Sequence, residues 1–318
     1  MKKLHPFTRY PGNPILTRED IPYWSNTVFN AAACKFGNQY LLLLRVEDLN
    51  GHSHLTLARS QDGYQFKVDE KPWVTPSTDP DYEVYERYGI EDPRITYVPE
   101  DDSYYITYTA FGPHGPRVGI GKTRDFKSFE RIALITEVPN KDAILFPDKF
   151  NNQYVMLDRP GGFAGSTGAI WVQYSPDLVY WGRAQAMLAP QPGWGNSKLG
   201  SSTPPIKTEA GWLVLYHGVR ETPSGRIYRV GAMLLDLENP AQVIGYTPNF
   251  IFGPEELYER VGDVPNVVFP CGVIVEDGHI KMYYGAADSA IALAQARLED
   301  ILELCFMTKS TETHIRFQ

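Results

Sequence analysis

The sequence predicts an all-β protein, a five-bladed β-propeller in one domain spanning residues 1–318, and three observations predict it. A two-part pattern that supplies about four strands recurs along the chain, the mark of radial repetition. The 27 glycines and 25 prolines fall largely between apolar runs, as turn chemistry requires. Those runs alternate and are rich in Tyr, Val, Ile and Phe, which suit a pleated, half-buried surface, and no long helical pattern stands out.

The first half of each repeat is an apolar strand, a polar turn and a second strand. In chain order the copies are Asn30 to Arg45 (NAAACKFGNQYLLLLR), Asp92 to Ala110 (DPRITYVPEDDSYYITYTA), Asp142 to Arg159 (DAILFPDKFNNQYVMLDR), Ser202 to His217 (STPPIKTEAGWLVLYH) and Asn266 to Gly285 (NVVFPCGVIVEDGHIKMYYG). The second half follows as a strand, a turn rich in Ser, Thr or Asp and often another strand: SHLTLARSQDGYQFK, RVGIGKTRDFKSFER, AIWVQYSPDLVYWGR, YRVGAMLLDLENPAQVIGY and a truncated IALAQARLEDILE. Two long connections, 77–88 (STDPDYEVYERY) and 189–199 (APQPGWGNSKL), are expected as active-site loops rather than linkers.

Composition narrows the function. A hydrophobic fraction of 43% is ample for a core, and no stretch approaches the ~20 apolar residues of a spanning helix. The start, MKKLHPFTRY, has two lysines without a following apolar run, so a cytoplasmic protein without a secretory signal or membrane contact is expected. Three dispersed cysteines suggest neither a disulfide framework nor a metal site, and Cys34 and Cys271 are expected in the core. A net charge of -8 disfavours nucleic acid, whose binding depends on neutralising phosphates. An anionic substrate therefore needs a local basic pocket. Assembly into a homo-oligomer is left open.

The repeat also brings residues together. Aligning the copies on Tyr40, Tyr105, Tyr154, Trp212 and Ile280 places Arg45, Ala110, Arg159, His217 and Gly285 at one level, five residues on. The same alignment gathers Asn30, Asp92, Asp142, Ser202 and Asn266 at the starts of the first strands, with Lys141 beside Asp142. The result is a polar mouth with one positive sector, suited to an oxyanion. Taken singly, each residue has a structural explanation: Asp92 as an Asp-Pro turn former, Arg45 and Arg159 as salt bridges between blades, His217 as a hydrogen-bonded core histidine. Tyr88, Trp194 and Tyr228 adjoin polar or Gly-rich segments where a ring can face a sugar. Phosphate-loop, zinc and nucleophile-elbow motifs are lacking, and RVGIGKT fits a strand better than a phosphate loop.

Over nearly its whole length the chain resembles glycoside hydrolase family 130, in FNAAACKF with LLRVED, GIEDPRIT, KDAILFPDKF with MLDRP, YSPDLVYWG, PPIKTEAGWLVLYHGV, RVGAMLLDLENP and VPNVVFPCGVIVEDGHIKMYYGAAD. The resemblance implies a five-bladed propeller and an inverting phosphorylase acting on β-mannosides. Asp92 would be the catalytic acid, protonating the glycosidic oxygen through the mannosyl 3-hydroxyl. Lys141, Arg159, His217 and Tyr228 match phosphate-binding positions. Asn30, Arg45 and Asp288 match positions lining the mannosyl pocket, and Arg94 and Asp142 join the substrate-binding set. Inorganic phosphate would be the co-substrate, with no cofactor or metal, and α-mannose 1-phosphate the product. Many β-1,4-specific members have Arg-Asn in place of Lys141-Asp142, and Asn or His in place of Asp158. The combination in this chain favours β-1,2-linked mannosides over β-1,4. A β-mannoside hydrolase and a propeller that only binds carbohydrate are the rival readings.

Overall fold

The computed structural model describes residues 5–161 and 168–307, and within them β-strands dominate. The first sequence unit forms strands Thr27–Phe36, Gln39–Glu47, Ser53–Ser60 and Lys67–Val68, and the second forms Gly89–Val98, Ser103–Gly112, Gly115–Thr123 and Glu130–Leu134. A single parallel pairing, Ser53 with Gly89, joins these two antiparallel meanders into one sheet. The third unit is a separate sheet of Asn140–Leu145, Tyr154–Pro160, Ile170–Ser175 and Gly182–Leu188. In the fourth, Lys198–Ser201 and Ile206–Thr208 both pair with the long strand Gly211–Thr222, which is followed by Gly225–Leu235 and Val243–Tyr246. Tight turns set the register. Asn151-Asn152 and Asp277-Gly278 each have two positive φ values, the conformation that matches the twist of a two-residue hairpin.

The fifth unit departs from expectation. Val268–Glu276, His279–Ala286 and Ala290–Arg297 form its antiparallel core, but the segment after Arg297 is a helix, Leu298–Phe306, that buries Ile301, Leu304 and Cys305 at helical spacing. Its outer edge comes from the other end of the chain: Thr8–Arg9 and Leu16–Thr17 both pair with Ala290–Arg297. The 77–88 connection likewise contains a short helix, Pro80–Glu86, capped by the Asp79 side chain with proline in its first turn.

The core lies between the units. Leu41 and Leu43 pack with Ile95 and Ile106 of the second unit, whereas Leu42 and Leu44, on the opposite face of the same strand, pack with Tyr283 and Leu293 of the fifth. Burial on both faces explains the uninterrupted LLLL run. Further clusters join Ile120 to Leu145 and Met156, Leu157 and Val172 to Trp212 and Val214, and Leu215 and Leu234 to Met282 and Tyr284. The first strands of adjoining units also touch, including those starting at Val268 and Thr27. Cys271 is buried as expected, and Cys34 is only half buried.

Candidate functional site

A single backbone device recurs in three first strands. Asn30, Asp92 and Asp142 each sit in a β-bulge with positive φ (47°, 47° and 61°), between paired residues Phe29 and Ala32, Glu91 and Arg94, and Lys141 and Ile144. Asn and Asp tolerate this left-handed conformation better than other side-chain-bearing residues, and a bulge re-aims the side chain it carries. Asp92 is therefore part of a bulged strand and not an Asp-Pro turn. The alignment holds closely elsewhere: Phe29 faces Arg45, Lys141 faces Arg159 and Phe269 faces Gly285, while in the second unit Ala110 pairs with Ile90, one step away. Asn266 does not share this level. It precedes the strand and accepts the Tyr228 backbone N–H.

The three bulged side chains converge. Asn30 Nδ2 and Arg45 Nη1 both donate to Asp92 Oδ1, each at 2.8 Å, and Asp92 Oδ2 has no partner among the described residues. Gly285 makes room, since a Cβ there would lie 1.9 Å from Asn30 Oδ1. Arg45 also reaches Glu91 Oε1 (3.1 Å) and Ser53 Oγ (2.8 Å), and Lys141 Nζ lies 3.0 Å from Glu91 Oε2. Glu91, which sequence comparison of the repeats did not single out, is thus a bridge between two cations. Burial pulls the Asp92 carboxyl upward, but Arg45, Arg94, Lys141 and the Asn30 amide outweigh it and hold it below the usual carboxylate range.

Asp142 is held differently. Its Oδ1 accepts from Arg94 Nη2 (3.4 Å), and its Oδ2 from Arg159 Nε (2.7 Å) with His217 Nε2 at 3.4 Å. Burial opposes its charge, yet Arg159, His217 and Arg94 keep it well below the ordinary value. Gly200 permits the approach, because a Cβ there would meet Asp142 Oδ2 at 2.3 Å and His217 Nε2 at 2.6 Å. Burial depresses His217 despite Asp142, so the ring is neutral, with Nε2–H toward Asp142 and Nδ1 accepting from Ser202 Oγ (3.1 Å). Arg94 is wholly buried and also donates to the Asp92, Ser201 and Ser202 carbonyls, which makes it a tie between strands rather than a surface for ligand.

The positive sector exists and is larger than expected. Arg159 commits only its Nε, leaving both Nη groups without protein partners among the described residues. Lys198, not identified from sequence, stands with Arg159, Lys141 and Asp142, its ammonium 5.6 Å from the Tyr228 ring centroid. Burial first, then Arg159, lowers its pKa to about 8. The Tyr228 ring lies near His217 and Phe269, and burial followed by Asp142 raises its phenol, which stays a donor. A clue to Lys198 lay in the 189–199 connection, but that segment is outside the aligned halves of the repeat.

Two further carboxyls flank the site. Asp288, at positive φ next to the first unit, is pushed up to about 7 by burial, with Arg45 opposing and Asp92 and Glu91 reinforcing. Asp158, on the strand carrying Arg159, is raised by burial to about 7 although Asn140 Nδ2 (2.7 Å) and Gln173 Nε2 (2.6 Å) donate to its Oδ2. Asp158 Oδ1 and Asn140 Oδ1 are both buried without a donor among the described residues, and a proton on the acid supplies one. Of the candidate sugar-facing rings, Tyr88 is 40% exposed beside His52 and Phe111. Trp194 instead stacks on Tyr216 and fills space left by Gly218 and Gly231. As for the structural explanations, Arg45 does link two units, His217 links the fourth to Asp142 of the third, and Arg159 pairs within its own unit.

The family model described as beta-1,4-mannooligosaccharide phosphorylase matches residues 8–307. The chain is 36% identical over 305 residues to a 1,2-beta-oligomannan phosphorylase of Thermoanaerobacter sp., covering 92% of this chain and 98% of the relative. It is 32% identical over 303 residues to the beta-1,4-mannooligosaccharide phosphorylase of Ruminococcus albus, covering 93% and 89%. The structure of a beta-1,2-mannobiose phosphorylase from Listeria innocua in complex with beta-1,2-mannobiose superposes with a TM-score of 0.86 at 30% identity, covering 95% and 99% of the two chains. The chain therefore belongs to glycoside hydrolase family 130, the family of mannoside phosphorylases.

Proposed function

We propose that this protein is an inverting β-mannoside phosphorylase built as a single-domain five-bladed β-propeller, transferring a mannosyl unit from a β-mannoside to inorganic phosphate. The observation that carries the reading is the cluster of Lys141, Arg159 and Lys198 with Tyr228 and His217, close enough for Lys141 to act on Asp92, whose Oδ2 has no partner among the described residues. Phosphate is already a charged nucleophile and requires positioning rather than a base, whereas an ordinary inverting hydrolase needs a second carboxylate to activate water. First-strand contacts that run from the fifth unit through the first, second and third to the fourth, and core clusters between each adjoining pair of units, support the propeller.

In this reading Lys141, Arg159, Lys198 and Tyr228 hold phosphate, with His217 and Asp142 fixing the Arg159 guanidinium. Asn30, Arg45 and Asp288 line the mannosyl pocket, and Asp92 is the acid. Bound phosphate offsets Lys141, one of the cations that hold the Asp92 carboxyl down, and so favours the protonated form that catalysis requires. Products are α-mannose 1-phosphate and the shortened sugar. The Lys141-Asp142 pair favours β-1,2 over β-1,4 linkages, and relatives of both kinds match the chain. No helix among the described residues is long and apolar enough to cross a membrane. A hydrolase is the second reading, and Asp288, a site carboxyl without a side-chain partner among the described residues, is the group that would serve as its base.

Incubation with β-1,2- and β-1,4-mannobiose, with and without phosphate, separates the two. Turnover that requires phosphate and yields mannose 1-phosphate is expected. Release of free mannose at full rate in phosphate-free buffer assigns the site to hydrolysis.

A further inference from the structure

We infer that the protein has a distal acceptor subsite, a groove around Trp24 that takes sugar units of the leaving oligosaccharide beyond the one next to the scissile bond. This inference rests on the phosphorylase reading above. The groove, of about 490 Å³, is lined by Arg18, Glu19, Tyr23, Trp24, Ser25 and Leu49 among others.

Its place in the fold follows from the strand register. Thr17 pairs with Ala290 at the end of the fifth unit next to Asp288, and the chain then crosses to Thr27, whose Oγ1 donates to the Asp288 carbonyl at 2.9 Å. Residues 18–26 therefore span the fifth and first units on the face that carries Asp288. Leu49 comes from the turn between Gln39–Glu47 and Ser53–Ser60, on the same face, since Glu47 pairs with Thr27. Five residues of chain, at most about 17 Å when extended, separate Ser25 from Asn30. That is within reach of a short oligosaccharide leaving Asp92.

Direction supports the same side. An inverting displacement places the leaving sugar opposite the attacking phosphate. The phosphate cations come from the third and fourth units, while the groups that grip Asp92 come from the first. The acceptor therefore departs across the first unit, toward Trp24.

The lining has the chemistry of a carbohydrate site. Trp24 is 87% exposed, an unusual state for an indole, and presents a broad apolar face beside the charged pair Arg18 and Glu19. Ser25, only 6% exposed, has a buried hydroxyl with no hydrogen-bond partner among the described residues. A buried hydroxyl left unpaired is costly, and rotation of the Ser25 side chain toward a sugar hydroxyl in the groove would satisfy it. Tyr23, by contrast, is already engaged with His54 and Thr56 and acts as the floor.

The test compares β-1,2-mannobiose with β-1,2-mannotetraose as substrates for wild type, Trp24→Ala and Trp24→Phe. Trp24→Ala should lower kcat/KM on the tetraose by about 5- to 10-fold more than on the biose, chiefly through KM, and Trp24→Phe should recover most of that difference. Equal effects on both substrates, or none, overturn the subsite. So does a drop in oligomeric state by sedimentation without a chain-length effect, which would make Trp24 a contact between copies of the chain. If wild type phosphorolyses neither these sugars nor their β-1,4-linked counterparts, the phosphorylase reading fails by itself. Calorimetric titration with the tetraose then decides the subsite: Trp24-dependent binding supports it, and binding that is absent or indifferent to Trp24 overturns it.

Discussion

Asp92 and Asp142 occupy the same kind of bulge on neighbouring strands, yet the structure treats them as opposites. Asp142 has both oxygens engaged, by Arg94, Arg159 and His217, and is 1% exposed. Asp92 takes both of its donors on Oδ1 and leaves Oδ2 unengaged among the described residues. Both carboxyls are held below the ordinary carboxylate value by the cations around them. A carboxylate whose every acceptor is occupied by fixed cations is an organising centre. One with a free oxygen and a proton affinity adjustable by an incoming anion is equipped for chemistry. The repeat supplies the same backbone to both, and the neighbours decide the role.

Paired substitutions break or sharpen this contrast. Asp92→Asn should lower turnover of unactivated mannosides by ~10²- to 10⁴-fold with the melting temperature nearly unchanged, because leaving-group protonation is lost while the amide preserves shape. Asp142→Ala should show its main effect in denaturant titration, a destabilisation of about 3–5 kcal/mol, because Arg94 and Arg159 lose their buried counter-charge. Exchange of these two outcomes would invert the assignment.

A smaller effect tests the geometry of the Asp142 side. Arg159→Lys keeps the charge, but an ammonium cannot both brace on Asp142 and present two parallel donors. Saturation curves should show phosphate binding weakened on the order of 10-fold, about 1.4 kcal/mol, with mannobiose affinity changed much less. An unchanged phosphate curve would remove Arg159 from the anion site.

The smallest expected effect is a pH dependence. Lys198 has its pKa lowered to about 8, so the free enzyme loses that charge as pH rises through 8, whereas bound phosphate favours the charged form. Apparent phosphate affinity should therefore fall above pH 8, by up to about 10-fold per pH unit at the steepest for a single proton. Lys198→Met should bind phosphate more weakly at pH 7 and lose that slope. A wild-type profile flat from pH 7 to 9 would place Lys198 outside the pocket.

Much of this was legible in the sequence, for identifiable reasons. Strand alternation and turn residues mark the units, and the shared level of Arg45, Arg159 and His217 reflects true cross-strand pairing, beside a bulge for the two arginines and in a regular ladder for His217. The bulges themselves were not legible, because an extra residue in a strand leaves no mark on a period of two. Lys198 was missed because it lies outside the aligned halves, and Glu91, which stands before Asp92 as Lys141 stands before Asp142, was passed over because the search there was for cations. Trp194 was misjudged because its Gly-rich surroundings looked like an open loop, whereas the indole packs into space cleared by Gly218 and Gly231, which are distant from it in sequence. The helices Pro80–Glu86 and Leu298–Phe306 are too short for periodicity to reveal.

The borrowing of an edge strand from the opposite end of the chain imposes an order on biosynthesis. Thr8–Arg9 and Leu16–Thr17 leave the ribosome first but hydrogen-bond to Ala290–Arg297, and Arg9 also waits for Glu259. At about 5–20 residues per second, the early segment stays without its partner for roughly 15–60 s while some 280 residues are made. Throughout that interval the growing chain holds an unpaired β-segment at one end and an incomplete sheet at the other, the arrangement from which two copies can exchange ends. An affinity tag or deletion at the N-terminus therefore acts on the last sheet to form, and the purified product should be assayed for swapped dimers before any kinetic comparison is made.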